Sequence, residues 1–119
     1  MSNCQVFQLA GLIGKKWTIA LMQEVSLNGD KGFNFISRRM KKITPKILSA
    51  RLREMEGKGI VKREIFNKHK IERSRYTLTE KGKELQSIIE NLKVWNMKYS
   101  GSYFGCNDKK CIDCKFYYL

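Results

Sequence analysis

The 119-residue sequence contains only one proline and one histidine, and its 11 acidic side chains are outnumbered by 24 lysines and arginines. It has no internal repeat, low-complexity tract or linker rich in proline and serine. Hydrophobic residues make up 42% of the chain, which is too many for a disordered tail, and the length is too short for two cores of ordinary size. We therefore predict one small, folded, basic domain.

Long apolar runs are also missing, since none reaches the roughly 18 residues that a membrane-spanning helix requires. The N-terminus lacks the basic flank and following apolar stretch of a secretion signal. These absences predict an intact chain that works in the cytoplasm and has no membrane partner.

The residues that common enzyme chemistries need are scarce. The chain has no phosphate-cradling glycine loop and no helical pair of metal-binding histidines. Only His69 is available as a base for a serine or cysteine nucleophile. We predict that the protein is not an enzyme.

The net charge of +13 is concentrated in one third of the chain. Residues 38–75 carry fourteen basic and four acidic side chains, which accounts for ten of the thirteen net charges. A phosphate-binding surface requires such a block, because each lysine or arginine placed near a phosphate releases condensed counterions. A solvated charged face is the alternative, and an anionic membrane is disfavoured because turns interrupt the block. The predicted partner is double-stranded DNA.

Hydrophobic spacing predicts helices over residues 15–27, 33–40 and 45–57, and a long final helix after Thr79 and Glu80. Thr44 and Pro45 are a strong start signal for the helix over 45–57, and Gly57 is expected to close it. Two strands, over residues 60–66 and 71–78, are rich in β-branched and aromatic residues. They predict a hairpin with a basic tip at residues 67–70.

This order of elements is typical of a winged helix-turn-helix, so we predict a mainly helical α+β fold with a two-stranded wing and N- and C-terminal dimerisation helices. The helix over 45–57 buries Leu48, Leu52 and Met55 and presents a small residue, a hydroxyl and two cations to a DNA groove. His69 is interpreted as a wing residue rather than a metal ligand. The predicted base contacts are Lys46, Ser49, Ala50 and Arg53, and the predicted contacts to the DNA backbone are Arg38, Arg39, Lys41, Lys42, Lys68, His69 and Lys70, with Thr44 included in the DNA-binding set.

The final helix carries an apolar stripe longer than one small domain needs. We interpret part of it as a homodimer surface, with packing against the protein's own first helix as the alternative. The stripe consists of Leu85, Ile88, Ile89, Leu92, Trp95 and Tyr99.

Several segments resemble one known family. Residues 11–18, Gly-Leu-Ile-Gly-Lys-Lys-Trp-Thr, are similar to the LIGGKW signature of HxlR-type regulators, a branch related to the MarR winged-helix proteins. The similarity continues through Phe33-Asn34 and residues 44–55, 59–61 and 76–82, and it covers roughly residues 4–98 in the right order. The resemblance implies a homodimeric, DNA-binding transcriptional regulator with dimer contacts in its terminal helices and a palindromic operator.

Two features depart from the family pattern. Cys4 is followed by Gln5, where the family commonly has proline, and the chain continues beyond the long helix. We therefore divide the sequence into a winged helix-turn-helix domain, residues 1–100, and a cysteine-containing tail, residues 101–119.

The tail holds Cys106, Cys111 and Cys114 in a C-x4-C-x2-C arrangement, and Cys4 completes a set of four. Four thiolates suit tetrahedral zinc, and the same spacing occurs in plant-type 2Fe–2S clusters with a distant fourth cysteine. Neighbouring lysines could instead favour thiolates that form reversible disulfides, or the tail has no function. Permanent disulfides are disfavoured in a cytosolic regulator. The resemblance adds that some family members respond to electrophiles and oxidants.

Two functions from different classes follow from these patterns. The first is a sequence-specific dimeric regulator that its cysteines tune, for which Arg53→Ala should relax base discrimination. The alternative is a non-specific architectural chromatin protein, which would bind all duplexes with comparable affinity.

Overall fold

The computed structural model describes residues 4–100, and the predicted tail lies outside them. The described residues form five α-helices, one two-stranded antiparallel sheet and a short 3₁₀ turn at Gly29–Lys31. The predicted winged helix-turn-helix, α+β and mainly helical, is confirmed. The elements are α1 (Gln5–Ile13), α2 (Thr18–Asn28), α3 (Phe33–Arg39), α4 (Pro45–Gly57), β1 (Val61–Lys68), β2 (Ile71–Leu78) and α5 (Glu80–Ser100).

Helix α4 has the predicted bounds, and local signals set both of its ends. The N–H of Ile47 donates to the Thr44 hydroxyl at 3.2 Å, so Thr44 caps the helix whose first residue is Pro45. At the other end, Gly59 rather than Gly57 provides the left-handed turn, with φ of 73°. The N–H of Ile60 then donates to the carbonyl oxygen of Met55 at 2.9 Å, which completes a Schellman closure.

The hairpin is longer and its turn tighter than predicted. Strand β1 runs to Lys68, which pairs with Ile71, so the turn consists of His69 and Lys70 alone instead of four residues. Both have positive φ, 53° and 63°, as a two-residue type I′ turn requires. The sequence lacks the Asn-Gly pair that usually marks this turn, which explains why the tip was predicted too long.

Helix α2 begins at Thr18, so the predicted start at Lys15 is wrong. Residues 14–17 form a turn, and Trp17 has a left-handed backbone with φ of 82°. This conformation is unfavourable for a bulky residue, but it buries the indole in the core. Burial of a large aromatic ring offsets the backbone strain, and this tertiary effect overrides the helical spacing of the sequence.

The wing lies close against the 3₁₀ turn because two glycines leave room for it. A Cβ atom at Gly32 would lie 2.7 Å from the carbonyl oxygen of Ser74, and its φ of +90° also favours glycine. A Cβ atom at Gly29 would collide with the carbonyl of Tyr76. The base of the hairpin is therefore held against α2 and α3, and its tip extends outward.

The core lies where α2, α3 and α4 meet the base of the hairpin and the first half of α5. The predicted stripe of Leu48, Leu52 and Met55 is fully covered. The stripe of α5 divides, because Leu85 and Ile89 join the core whereas Ile88, Leu92, Trp95 and Tyr99 remain exposed. The final helix begins after Thr79, whose hydroxyl accepts the N–H of Gly82 at 3.0 Å, as predicted. Within residues 4–100, no helix is long and apolar enough to cross a membrane.

Candidate nucleic-acid interface

The solvent-facing side of α4 carries the residues predicted to contact bases. Lys46, Ala50 and Arg53 are exposed, and Ser49 is half-buried on the side that faces the hairpin. Ile47, which the sequence analysis did not select, is also exposed in the first turn of the helix. An exposed isoleucine at this position is suited to contact a thymine methyl group.

The segment before α4 contributes a second group of cations, and one of them differs from the others. Arg38, Lys41 and Lys42 are exposed. Arg39 instead donates from Nε to Oε1 of Glu24 at 3.2 Å, and that oxygen also accepts from Asn28 at 2.8 Å. Because the Glu24 side chain is completely buried, we assign Arg39 a structural role in joining α3 to α2.

Lys68, His69 and Lys70 are exposed at the end of the hairpin, as predicted for a wing tip. Thr44 is exposed as well, although its hydroxyl is already used to cap α4. Contact of any of these residues with DNA stays a prediction.

The cations of residues 38–75 separate into paired and unpaired groups. Four of the fourteen form ion pairs: Arg39, Arg51, Lys62 and Arg75. Within residues 4–100 the other ten have no such partner, and Lys58 lies apart from the rest, beside α1 and α5. We call the remaining nine the basic surface: Arg38, Lys41, Lys42, Lys46, Arg53, Arg63, Lys68, Lys70 and Arg73.

Glu54 anchors α4 to the turn that precedes α2. Its carboxylate accepts from Nζ of Lys15 at 2.8 and 3.0 Å, and Arg51 approaches it to 3.3 Å. The hydrogen bond from Lys15 lowers the pKa of the Glu54 carboxyl, although partial burial opposes the shift. The pair therefore links the turn over residues 14–17 to the middle of α4.

Two residues of the hairpin face α4 across a small cleft and were missed by the sequence analysis. Arg63 on β1 and Ser74 on β2 line a cavity of about 260 Å³ together with Ser49 and Arg53 of α4. The signal that could have found Arg63 is its alternation with Val61, since residues two apart on a strand share one face.

Helices α1 and α5 expose large apolar side chains. Trp95 and Tyr99 of α5 are 61% and 72% exposed, and Phe7 of α1 is 70% exposed. Scattered apolar residues are normal on a surface, but several on two helices form a candidate interface. We call this set the apolar surface: Val6, Phe7, Leu9, Ile88, Leu92, Trp95 and Tyr99.

The predicted thiol site is only partly within the described residues. Cys4 is exposed and precedes α1, whereas Cys106, Cys111 and Cys114 lie outside the described residues. Among residues 4–100, no three histidine, cysteine or acidic side chains come together as potential metal ligands.

Comparison with known proteins agrees with this architecture. The model of the HxlR-like helix-turn-helix family matches residues 12–103. YdeP of Bacillus subtilis (strain 168), an HTH-type transcriptional regulator, is 35% identical over 99 residues, which cover 82% of this chain and 74% of YdeP. These matches are to regulators, in agreement with the prediction that the chain is not an enzyme.

Two solved structures share the fold. A transcriptional regulator of the MarR family from Enterococcus faecalis V583 has a TM-score of 0.71 at 33% identity. The match covers 83% of this chain and 94% of the chain of that regulator. The redox regulator HypR in its reduced form has a TM-score of 0.69 at 32% identity, with 84% and 97% of the two chains covered.

Proposed function

We propose that this chain, which belongs to the HxlR-like helix-turn-helix family of DNA-binding transcriptional regulators, acts as a homodimer that recognises a specific two-fold-symmetric operator. The observation that carries the proposal is the basic surface, because nine cations that have no ion-pair partner within residues 4–100 lie on the last turn of α3, the α3–α4 turn, α4 and the hairpin. These elements are the ones that a winged helix-turn-helix presents to a duplex.

Helix α4 enters the major groove in this proposal. Lys46, Ile47 and Ala50 lie in its N-terminal half, which is the part of a recognition helix that reaches base edges. Ala50 is small enough to permit close approach of the helix, and Lys46 can donate to guanine. The wing tip, with Lys68 and Lys70, then contacts the flanking minor groove or its phosphates.

The apolar surface supports dimerisation through α1 and α5. Trp95 and Tyr99 pack against each other, with ring centroids 5.9 Å apart, and remain exposed to solvent in the single chain. A second copy would cover them and remove apolar area from water, at about 25 cal/mol per Å². A two-fold dimer would carry two α4 helices to half-sites separated by one or more turns of DNA.

Selection of binding sites from a library of random duplexes tests the proposal. The full-length protein should enrich one motif whose two halves are related by a two-fold axis. Sedimentation of the free protein should give twice the chain mass. Enrichment of no motif, with equal affinity for all duplexes at physiological salt, would favour the architectural alternative.

A response to oxidant or metal is the second part of the proposal. It is supported by the exposed position of Cys4 and by the likeness to HypR, a redox regulator. The candidate thiols are Cys4 and the three cysteines of the tail, with zinc, an iron–sulfur cluster or reversible disulfides as the chemistry. Location in the cytoplasm stays a prediction.

Elemental analysis and an absorption spectrum of anaerobically purified protein separate these chemistries. One zinc per chain indicates a thiolate site, and iron with visible absorption bands indicates a cluster. Metal-free protein whose DNA affinity changes with oxidant indicates a thiol switch. Metal-free protein that is insensitive to oxidant would reject this part of the proposal.

A further inference from the structure

The cleft between α4 and the hairpin contains two arginines and two serines. Ser49 and Arg53 line it from α4, and Arg63 and Ser74 line it from the two strands. A water molecule occupies about 30 Å³ in the liquid, so a cavity of about 260 Å³ has room for one phosphate group and several waters. The cleft is therefore large enough for an anion such as a phosphate group.

The strand register explains why Arg63 faces this cleft. Arg63 pairs with Tyr76, which is buried, and Val61 on the same face is buried as well. Lys62 precedes Arg63 and faces the other side of the sheet, where it forms an ion pair with Glu64 at 3.6 Å. Lys62 and Arg63, although adjacent on β1, therefore lie on opposite faces of the hairpin.

The charges that line the cleft sum to one positive charge. Within residues 4–100, Arg53 and Arg63 form no ion pair, and Glu56 is the one carboxylate among the lining residues. Two cations and one anion suit a partner with a single negative charge. A phosphodiester carries one such charge, whereas free phosphate near neutral pH carries between one and two.

The path of DNA across a winged helix brings a phosphodiester to this place. When α4 lies in the major groove and the wing in the adjacent minor groove, the sugar–phosphate strand that separates the two grooves must cross between α4 and the hairpin. The cleft occupies that position. Guanidinium groups bind phosphate oxygens in a bidentate manner, and serine hydroxyls can donate to them.

We propose that this cleft binds one phosphodiester of the DNA backbone, held by Arg53 and Arg63 with the hydroxyls of Ser49 and Ser74. The proposal rests on the DNA-binding mode described above. It assigns Arg53 to positioning the duplex, in contrast to the base contact expected from the sequence. Discrimination among bases then falls to Lys46, Ile47 and Ala50.

Neutral methylphosphonate groups, introduced one at a time into the selected duplex, test this proposal. In the wild type, one position per half-site, between the α4 contacts and the flanking minor groove, should cost about tenfold in affinity. Arg63→Gln should cause a similar loss on the unmodified duplex and should reduce the sensitivity at that one position, where Arg53 still contacts the phosphate. Lys62→Gln is the matched control, because its side chain lies on the opposite face, and it should retain the sensitivity.

Arg53→Gln should also weaken the selected and scrambled duplexes by the same factor. A change of base preference in Arg53→Gln, or an unchanged methylphosphonate profile in Arg63→Gln, would overturn the proposal while leaving the specific operator in place. If inorganic phosphate displaces DNA from the wild type but not from Arg63→Gln, at matched ionic strength, the cleft binds free phosphate and the diester assignment is wrong.

A second measurement does not depend on finding an operator. On a random duplex, Arg63→Gln and Arg53→Gln should each reduce the slope of log affinity against log salt by about one. An unchanged slope, in variants whose thermal unfolding matches the wild type, would overturn the phosphate site even if no specific motif is selected.

Discussion

The basic surface and the apolar surface differ in what the folded chain leaves without a partner. On the basic surface, the lysines and arginines have no carboxylate as an ion-pair partner within residues 4–100. An exposed cation without a partner costs little free energy in water and remains available to phosphates. On the apolar surface, tryptophan and leucine side chains remain in water, and they gain free energy when another apolar surface covers them. The proposed function assigns a different partner to each surface, DNA to the basic surface and a second copy of the chain to the apolar surface.

One ion pair connects the two regions. Lys15 lies in the turn that follows α1, and Glu54 lies on α4, so their contact at 2.8 Å joins that turn to α4.

The largest effect is expected from a charge on the apolar surface. Trp95→Glu should convert the dimer to a monomer and lower operator affinity by about a hundredfold or more, because burying an unpaired carboxylate costs several kcal/mol. Sedimentation and fluorescence anisotropy measure the two effects. Ser87→Glu, which adds the same charge on α5 outside the stripe, should leave both unchanged. A dimeric Trp95→Glu protein with normal operator affinity would show that the apolar surface is not the dimer interface.

The next largest effect concerns base reading on the basic surface. Lys46→Ala should reduce operator affinity by about tenfold, because one base contact contributes about 1–3 kcal/mol, and it should relax the preference at one base pair per half-site. Competition against single-base variants of the operator measures this preference. Lys58→Ala, just beyond the C-terminal end of α4, should leave the preference intact. An equal loss on scrambled DNA would mean that Lys46 contacts only the backbone.

A substitution at the wing tip should raise the stability of the fold and lower the affinity for DNA. Lys70 has a left-handed backbone, so Lys70→Gly should remove strain and, after the entropy cost of glycine, stabilise the fold by about 0.5 kcal/mol. The same change removes a phosphate contact and should weaken binding to all duplexes a few-fold. Thermal unfolding and salt titrations check the two parts. Weaker binding to the operator alone would place Lys70 at a base instead.

The smallest effect is expected at the pair that joins the two regions. Because the folded state lowers the pKa of Glu54, this carboxylate contributes stability above its unfolded pKa and loses that contribution as the pH falls through the folded value. Glu54→Gln should therefore cost about 0.5 kcal/mol at neutral pH, since both side chains are partly exposed, and almost nothing in acid below the lowered pKa. Urea unfolding at the two pH values measures the difference. A cost that does not depend on pH would show that the charge of Glu54 is unimportant.

Sequence patterns predicted those parts of the fold that depend on neighbouring residues. Thr44 and Pro45 set the start of α4 by a local hydrogen bond and a fixed backbone angle, so its bounds were predicted correctly. The start of α2 was wrong because burial of Trp17 depends on the whole core. The wing turn was predicted too long because His69 and Lys70 are not the residues that favour positive φ most strongly.

Sequence patterns also predicted the part of the candidate site that lies on one helix. Helical spacing placed Lys46, Ala50 and Arg53 on the exposed side of α4, where the structure has them. The pairing of Arg39 with Glu24 joins residues far apart in the chain, and no local pattern indicates it. For Arg63, alternation with Val61 indicates the face of the strand, but only the packing of the hairpin shows that this face is turned toward α4.

A titration of full-length protein at physiological salt tests the central claim most directly. It compares the selected duplex, one isolated half-site and a scrambled duplex. We predict two chains per selected duplex and an affinity about a thousandfold or more above that for scrambled DNA, with the half-site between them. Equal affinities for all three duplexes, or one chain per selected duplex, would contradict the assignment of one surface to DNA and the other to a second copy.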